Sequence, residues 1–195
     1  ARSGVDPASG DKIKRAPDEN APFSALVVKT VADAYAGRLS IFRVVSGQLG
    51  SDGTFFNPNK DTKERFTQLL TIAGKEQKAV TGAGPGAIVA VAKLKETATG
   101  DTLCDSSDKI QYACAEPLPS LISFAMTSKS KGDEDKIFIS LSKLLEEDPS
   151  LKLERVAETK EILLSGLGQI HIETVLDKLK RKFNVEAQLH TPKVP

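Results

Sequence analysis

A chain of 195 residues with 39% hydrophobic, 27% charged and 5% aromatic residues has room for one large globular domain or two of roughly 100 residues. That composition excludes the disordered and fibrous classes, and 27 basic against 26 acidic residues, a net charge of +1, exclude a global attraction to nucleic acid and leave only local patches. No apolar run reaches the roughly 20 residues of a membrane span, no secretory signal opens the chain, and Cys104 and Cys114 are too few for a disulfide framework or a four-ligand zinc site.

A cytoplasmic monomer with reduced thiols and no membrane contact is therefore expected. Numbering begins at Ala1 and the single methionine is Met126, which implies processing or a cloned piece.

Residues 1–21 mix Gly, Pro, Asp, Lys and Ser with almost no large apolar side chain and read as a linker. From Phe23 the pattern becomes short β-type runs. These are Phe23 to Thr30, Arg38 to Val45, Gly53 to Phe56, Arg65 to Ile72 and Ala87 to Leu94, punctuated by Gly37, Gly47, Gly50, Gly53, Gly74 and Gly100. Their Val, Ile, Phe and Thr suit a pleated, half-buried surface. Many strands with no helix between them predict an all-β domain over residues 22–115, and a small closed barrel would remove sticky edges.

Pro117 and Pro119 favour an extended connector, and a second domain is placed at residues 116–195. Leu121 to Met126 reads as a strand. Asp133 to Glu147 reads as a helix with Ile137, Leu141, Leu144 and Leu145 on one face, acidic at its start and stopped by Pro149. Leu151 to Val156 and Lys160 to Ser165 read as strands around Ala157-Glu158-Thr159. Gly168 to Lys182 is a second helix, with Ile172, Val175, Leu176, Leu179 and Phe183 on one face, and Val185 to Leu189 a last strand. This β-α-β-β-α-β order predicts an α+β, ferredoxin-like domain.

Nucleotide chemistry has no foothold. A P-loop needs GxxxxGK[ST], whereas the one Gly-Lys pair, Gly74-Lys75, runs into Glu76. Asn59-Lys60-Asp61 imitates a guanine-reading motif but has Thr62 where the second acid belongs, and reads as a turn. Gly166-Leu-Gly168 is part of a dinucleotide fingerprint with His171 in place of the third glycine; tight turning and close helix packing explain both glycines. His171 and His190, the only histidines, lack metal-ligand spacing. His171 could act as a general base but has no evident partner, so a capping or interface role is expected. An acylphosphatase-like activity would need an arginine beside the Gly166 to Gly168 turn, and none is there.

Basic residues cluster at Lys60, Lys63 and Arg65, with Arg38 and Arg43 on a neighbouring predicted strand. Such a patch can bind phosphate; the plainer reading is a solvated face laced with Asp61 and Glu64. Lys178 to Lys182 offers a second patch of the same kind.

Long stretches then resemble elongation factor G. Pro22-Phe-Ser-Ala-Leu-Val-Val-Lys-Thr-Val-Ala-Asp33, Tyr35-Ala-Gly-Arg-Leu-Ser-Ile-Phe-Arg-Val-Val-Ser-Gly47 and Leu94-Lys-Glu-Thr-Ala-Thr-Gly-Asp-Thr-Leu103 are similar to its second domain. Lys129-Ser-Lys-Gly-Asp-Glu-Asp-Lys136, Leu144-Leu-Glu-Glu-Asp-Pro149, Ser165-Gly-Leu-Gly-Gln-Ile-His-Ile-Glu173 and Asp177-Lys-Leu-Lys-Arg-Lys-Phe183 are similar to its third. Two departures stand out: Gln169 replaces an acid of the family's Gly-Met-Gly-Glu-Leu-His-Leu-Glu, and Ala34 replaces the proline of Ala-Asp-Pro-Tyr.

The resemblance implies a translation-factor barrel followed by a ferredoxin-like domain, the middle of a ribosome-dependent GTPase. It implies that GTP and magnesium belong to a separate G domain, so this chain by itself has no enzyme activity, cofactor or metal. The barrel would dock on small-subunit ribosomal RNA, with Arg38, Lys60, Lys63 and Arg65 as contacts. The third domain would sit against its own G domain and a small-subunit protein and relay GTP state from that G domain to drive tRNA and mRNA translocation. Its facing residues would be Lys129, Lys131, Asp133, Ser165, Gly166, Gly168, Gln169 and His171, and His171 lies in the motif that borders the family's fusidic acid pocket. A paralogue acting in ribosome recycling or protection, or a stand-alone RNA-binding module, are the alternatives.

Overall fold

The computed structural model describes every residue except 34–36, 75, 129–133, 160 and 194–195. The chain divides into two units, Ala1–Ala115 and Glu116–Pro195.

The first unit opens with an antiparallel hairpin of β1 (Arg2–Val5) and β2 (Lys12–Arg15), so residues 1–21 are not the expected linker. Asp6 holds its turn by accepting the Ala8 N–H at 2.7 Å. A bridge from Val5 to Gln111 ties it to the rest of the unit. Ile13 packs on a cluster of Leu26, Phe56, Cys104, Ile110 and Tyr112, which the hairpin thereby covers. Gly4 is required there, since a Cβ would lie 2.7 Å from both the Gln111 carbonyl and the Ile110 side chain.

Then follow β3 (Ser24–Asp33), β4 (Gly37–Ser46), β5 (Leu49–Gly50), β6 (Gly53–Asn57), β7 (Thr62–Phe66), β8 (Leu69–Ala73), β9 (Glu76–Val80), β10 (Gly82–Ala83), β11 (Ile88–Ala92) and β12 (Thr102–Cys104). Eight of these form one antiparallel sheet in the order β7-β6-β12-β3-β4-β11-β8-β9. Among the described residues no backbone ladder joins β7 to β9, so the unit is a curled sheet rather than a fully hydrogen-bonded cylinder. Curling is plain from the core: Phe55 and Phe66 at one end share a cluster with Val27, Phe42, Val44, Val89 and, from the far side, Leu69. Phe55 stacks on Phe66 with ring centroids 5.1 Å apart and meets Phe42 edge-on at 6.2 Å.

The expected single strand Arg65 to Ile72 is two. Phe66 and Leu69 are both buried in the core, yet three residues apart they would face opposite sides of one straight strand. The chain resolves this by turning at the exposed pair Thr67-Gln68.

The second unit has β13 (Ile122–Ser128), α1 (Glu134–Glu147), β14 (Lys152–Arg155), β15 (Ile162–Gly166), α2 (Gln169–Phe183) and β16 (Ala187–His190). Its strand order is β14-β15-β13-β16, every neighbouring pair antiparallel, which is the ferredoxin-like arrangement. The helices cover one sheet face through Ile137, Leu141, Leu144, Ile172, Val175 and Leu179, packed on Met126, Ile162 and Leu164. Asn184 ends α2 in the left-handed region, its N–H donating to the Lys180 carbonyl, as asparagine can.

Candidate functional site

Residues Lys60, Lys63 and Arg65 all lie on the β6–β7 hairpin and are exposed. Its turn is built by Asn57, whose Oδ1 accepts the N–H groups of Asn59 and Lys60; Asn59-Lys60-Asp61 is thus a local turn, with Asp61 at φ 51°. Lys63 and Arg65 alternate with buried Glu64 and Phe66, which places the two cations on the outer face. Lys63 stands opposite Phe56, and Lys109 sits over the Phe56 ring at 4.1 Å. Lys109 therefore joins the patch from a distant part of the chain, which no sequence spacing indicates.

Glu64, which would neutralise this surface if it faced outward, is turned into the protein at 8% exposure. Its carboxylate accepts the N–H groups of Lys95 and Glu96 on one oxygen and the Thr97 N–H and hydroxyl on the other. Burial opposes its ionisation, but the Thr97 hydroxyl and the three N–H groups outweigh that and hold its carboxyl below the ordinary glutamate range.

Arg38 does not join the hairpin cations. It has the parity of core-facing Phe42 and Val44 on β4, and its guanidinium donates to the carbonyls of Lys95 and Thr97. Glu64 and Arg38 thus clamp the two polar sides of the same loop. Asn57 completes the network by donating to Asp101 at 2.9 Å and to the Thr97 hydroxyl at 3.2 Å.

In the second unit, the turn from β15 into α2 carries Ser165, Gly166, Gly168, Gln169 and His171. The His171 Nδ1 accepts the Leu167 N–H at 3.2 Å, so the neutral ring carries its proton on Nε2, which donates to Asp148 Oδ2 at 2.9 Å. With both nitrogens engaged, His171 ties this turn to the residue that follows α1. Gly166 makes room for it: a Cβ there would lie 3.0 Å from His171 Nδ1 and 2.8 Å from Ile172. Gly168 is different, extended at φ 179° with nothing near a Cβ, so neither strain nor packing demands glycine there. Ser165 shares a 2.7 Å hydrogen bond with Ser123 across the sheet, and Gln169 donates to Glu173 at 2.9 Å.

Two apolar side chains that sequence reasoning passed over flank this turn. Ile170 is 79% and Leu121 74% exposed, and the Leu121 N–H donates to the Gly166 carbonyl. Exposure of that degree on aliphatic residues of the same unit suits a contact face. Lys129, Lys131, Asp133 and Lys75 lie outside the described residues. Three cations of the Lys178 to Lys182 run carry carboxylates, Lys180 with Glu186, Arg181 with Asp177 and Lys182 with Glu147, which makes that run a compensated surface.

Burial opposes ionisation of Asp148, but the Ser150 hydroxyl and N–H and the His171 ring overcome it and hold the carboxyl below the ordinary aspartate range. A lowered folded value means that its contribution is complete above the unfolded pKa of about 3.9 and is lost as pH falls through the folded one. Asp148→Asn is expected to flatten the decline in urea midpoint below about pH 4. The readout is helical circular dichroism, since both described helices belong to this unit; an unchanged slope would show that Asp148 does not carry the effect.

No group of three or more metal-ligating side chains occurs among the described residues, and none of their helices is long and apolar enough to cross a membrane.

Comparison with known proteins bears on both units. Residues 22–106 match the family model of elongation factor G domain 2, and residues 117–191 that of elongation factor G domain III. Among solved structures, a crystal structure of a protein from Thermus thermophilus is similar over 90% of this chain at 31% identity and a TM-score of 0.79. The match takes in 26% of that protein, so the chain spans about a quarter of its length.

Proposed function

We propose, from the premise that this chain belongs to the elongation factor G family and comprises its domains II and III, that it works as the non-catalytic centre of a ribosome-dependent GTPase. The first unit docks on small-subunit ribosomal RNA through the outer face of the β6–β7 hairpin. The second relays nucleotide state through the β15–α2 turn, where Leu121 and Ile170 supply apolar contact to a G domain or ribosomal protein and His171 fixes the backbone. GTP and magnesium are assigned to a G domain outside these 195 residues, for no P-loop sequence occurs within them.

The inward turn of Glu64 carries the docking assignment. It leaves Lys60, Lys63, Arg65 and Lys109 on one outer surface, with Asp61 the only exposed carboxylate of the hairpin, and a surface of that sign tracks phosphates. Arg38, occupied with loop carbonyls, acts by positioning instead.

The test is fluorescence-anisotropy binding of the chain to isolated small ribosomal subunits over a range of salt. Replacing Lys60, Lys63 and Arg65 by glutamine is expected to weaken binding by about 10- to 100-fold near 0.1 M salt. It should also cut the slope of log K against log[salt] by roughly two to three, since each lost phosphate contact removes somewhat under one unit. Unchanged affinity and slope would remove the hairpin from the interface.

A further inference from the structure

We infer a second anion site in the first unit, a phosphate-binding cleft between the amino-terminal hairpin and the outer face of the curled sheet. The cleft has a volume of about 370 Å³ and is lined by Arg2, Arg15, Pro17, Arg43, Val45 and Pro85 among others. It is independent of the β6–β7 docking face, and Arg2 and Arg15 precede the residues that either family model matches.

Three arginines converge there from separate elements. Arg2 and Arg15 are direct partners across the β1–β2 ladder, an arrangement of like charges that costs stability on an antiparallel pair. Arg15 has the parity of Ile13, which packs on the sheet, so both guanidiniums point toward the outer face, where Arg43 of β4 is exposed. Each of the two hairpin arginines is held in place. Arg2 donates to the Ala113 carbonyl at 3.1 Å and lies 5.2 Å over the Tyr112 ring; Arg15 pairs with Asp108.

That pairing leaves much unsatisfied. The Arg15 side chain is only 12% exposed, and its Nε is buried with no hydrogen-bond acceptor, a condition buried donors rarely tolerate. Arg43 forms no ion pair among the described residues, and no carboxylate lines the cleft. The three guanidiniums against the single carboxylate of Asp108 leave an excess of two positive charges. Forked donors from several directions around an open cleft suit a tetrahedral oxyanion, because guanidinium groups pair with phosphate oxygens two at a time. The ligand class is therefore a phosphate group, supplied either by an RNA backbone or by a small soluble phosphate.

The experiment follows the Nε–H resonances of the ¹⁵N-labelled chain during titration with inorganic phosphate at constant ionic strength, chloride serving as the control. Arg2, Arg15 and Arg43 are expected to shift together on one saturable curve, with Arg15 moving farthest as its Nε gains an acceptor. Arg43→Gln, an exposed position, should weaken phosphate by about tenfold while leaving thermal stability unchanged. A parallel anisotropy titration with a labelled RNA hairpin separates the sources. Weaker RNA binding by Arg43→Gln assigns the cleft to an RNA phosphate, and phosphate saturation with RNA affinity unaltered assigns it to a soluble one. Absence of any saturable arginine shift, with phosphate and with RNA, would overturn the site. Phosphate saturation in a chain whose subunit binding ignores Lys60, Lys63 and Arg65 would sink the docking face and leave the cleft standing.

Discussion

Glu64→Ala is expected to lower the stability of the first unit by about 3 kcal/mol or more, because hydrogen bonds to a charged acceptor are worth about 1.5–3 kcal/mol each and this carboxylate accepts several. Glu64 is 8% exposed and accepts the N–H groups of Lys95, Glu96 and Thr97 at 2.5, 3.1 and 3.0 Å, together with the Thr97 hydroxyl. Alanine supplies no acceptor, and a donor left buried, as those of Thr97 would be, costs about 1–3 kcal/mol.

For a unit of this size the melting temperature should fall by about 10 °C or more. Amide hydrogen exchange at Lys95, Glu96 and Thr97 should accelerate well beyond that of the core strands. Glu64→Gln discriminates charge from shape: its amide nitrogen would confront N–H donors, so most of the loss should persist. A decrease below about 1 kcal/mol in both variants would mean that water readily replaces the carboxylate. Neither variant alters the outward charge of the β6–β7 hairpin, so any effect on subunit binding must come through folding.

Much of the fold was legible in the sequence. The Val, Ile and Leu runs of β3, β4 and β11 read as strands because they fill a core, and the helical offsets from Ile137 and Ile172 identified the two helices that cover the second unit. Elements stabilised from outside themselves escaped. The β1–β2 strands carry one large apolar residue each, Val5 and Ile13, and gain their structure from the cluster around Ile110 and Tyr112 that they cover. Strand β9 is exposed along almost its whole length and follows β8 in register, so it carries little hydrophobic pattern of its own.

The candidate site divides in the same manner. Lys60, Lys63 and Arg65 are close in sequence, and a tight turn keeps them together. Arg38 was grouped with them by charge, whereas side-chain parity on β4 sends it to the opposite face. Glu64, read from the sequence as part of a solvated face with Asp61, is instead buried, and Lys109 was not singled out; the contacts to Thr97 and Phe56 that place them are long-range. At the β15–α2 turn, the glycines and His171 stood out as a motif, but the partner that gives His171 its place, Asp148, lies 23 positions away.

Gly47→Ala is expected to cost the first unit about 3 kcal/mol or more, because strain and overlap act together. Gly47 has φ +70°, and a Cβ would fall 2.6 Å from Phe23 Cα and 2.7 Å from both the Phe23 nitrogen and the Ala21 carbonyl oxygen. The left-handed conformation alone costs an alanine about 1–2 kcal/mol. Overlap with backbone cannot be relieved by a rotamer change, and the chain on both sides is anchored: the Gly47 N–H donates to the Asp18 carbonyl at 2.8 Å, and the Ser46 hydroxyl to the Pro22 carbonyl at 2.7 Å. Gly10→Ala isolates the strain, for Gly10 has φ +78° and nothing within 4 Å of a Cβ; it should cost only about 1–2 kcal/mol. Equal losses in the two variants, measured by urea titration, would show that close approach to residues 21–23 is not a constraint. A larger loss at Gly47 has a functional corollary, because the segment it seats runs from Arg15 and Pro17 of the phosphate cleft into β3. Displacing that segment should reduce phosphate affinity at Arg2, Arg15 and Arg43 even in molecules that remain folded, while binding through Lys60, Lys63 and Arg65 is retained.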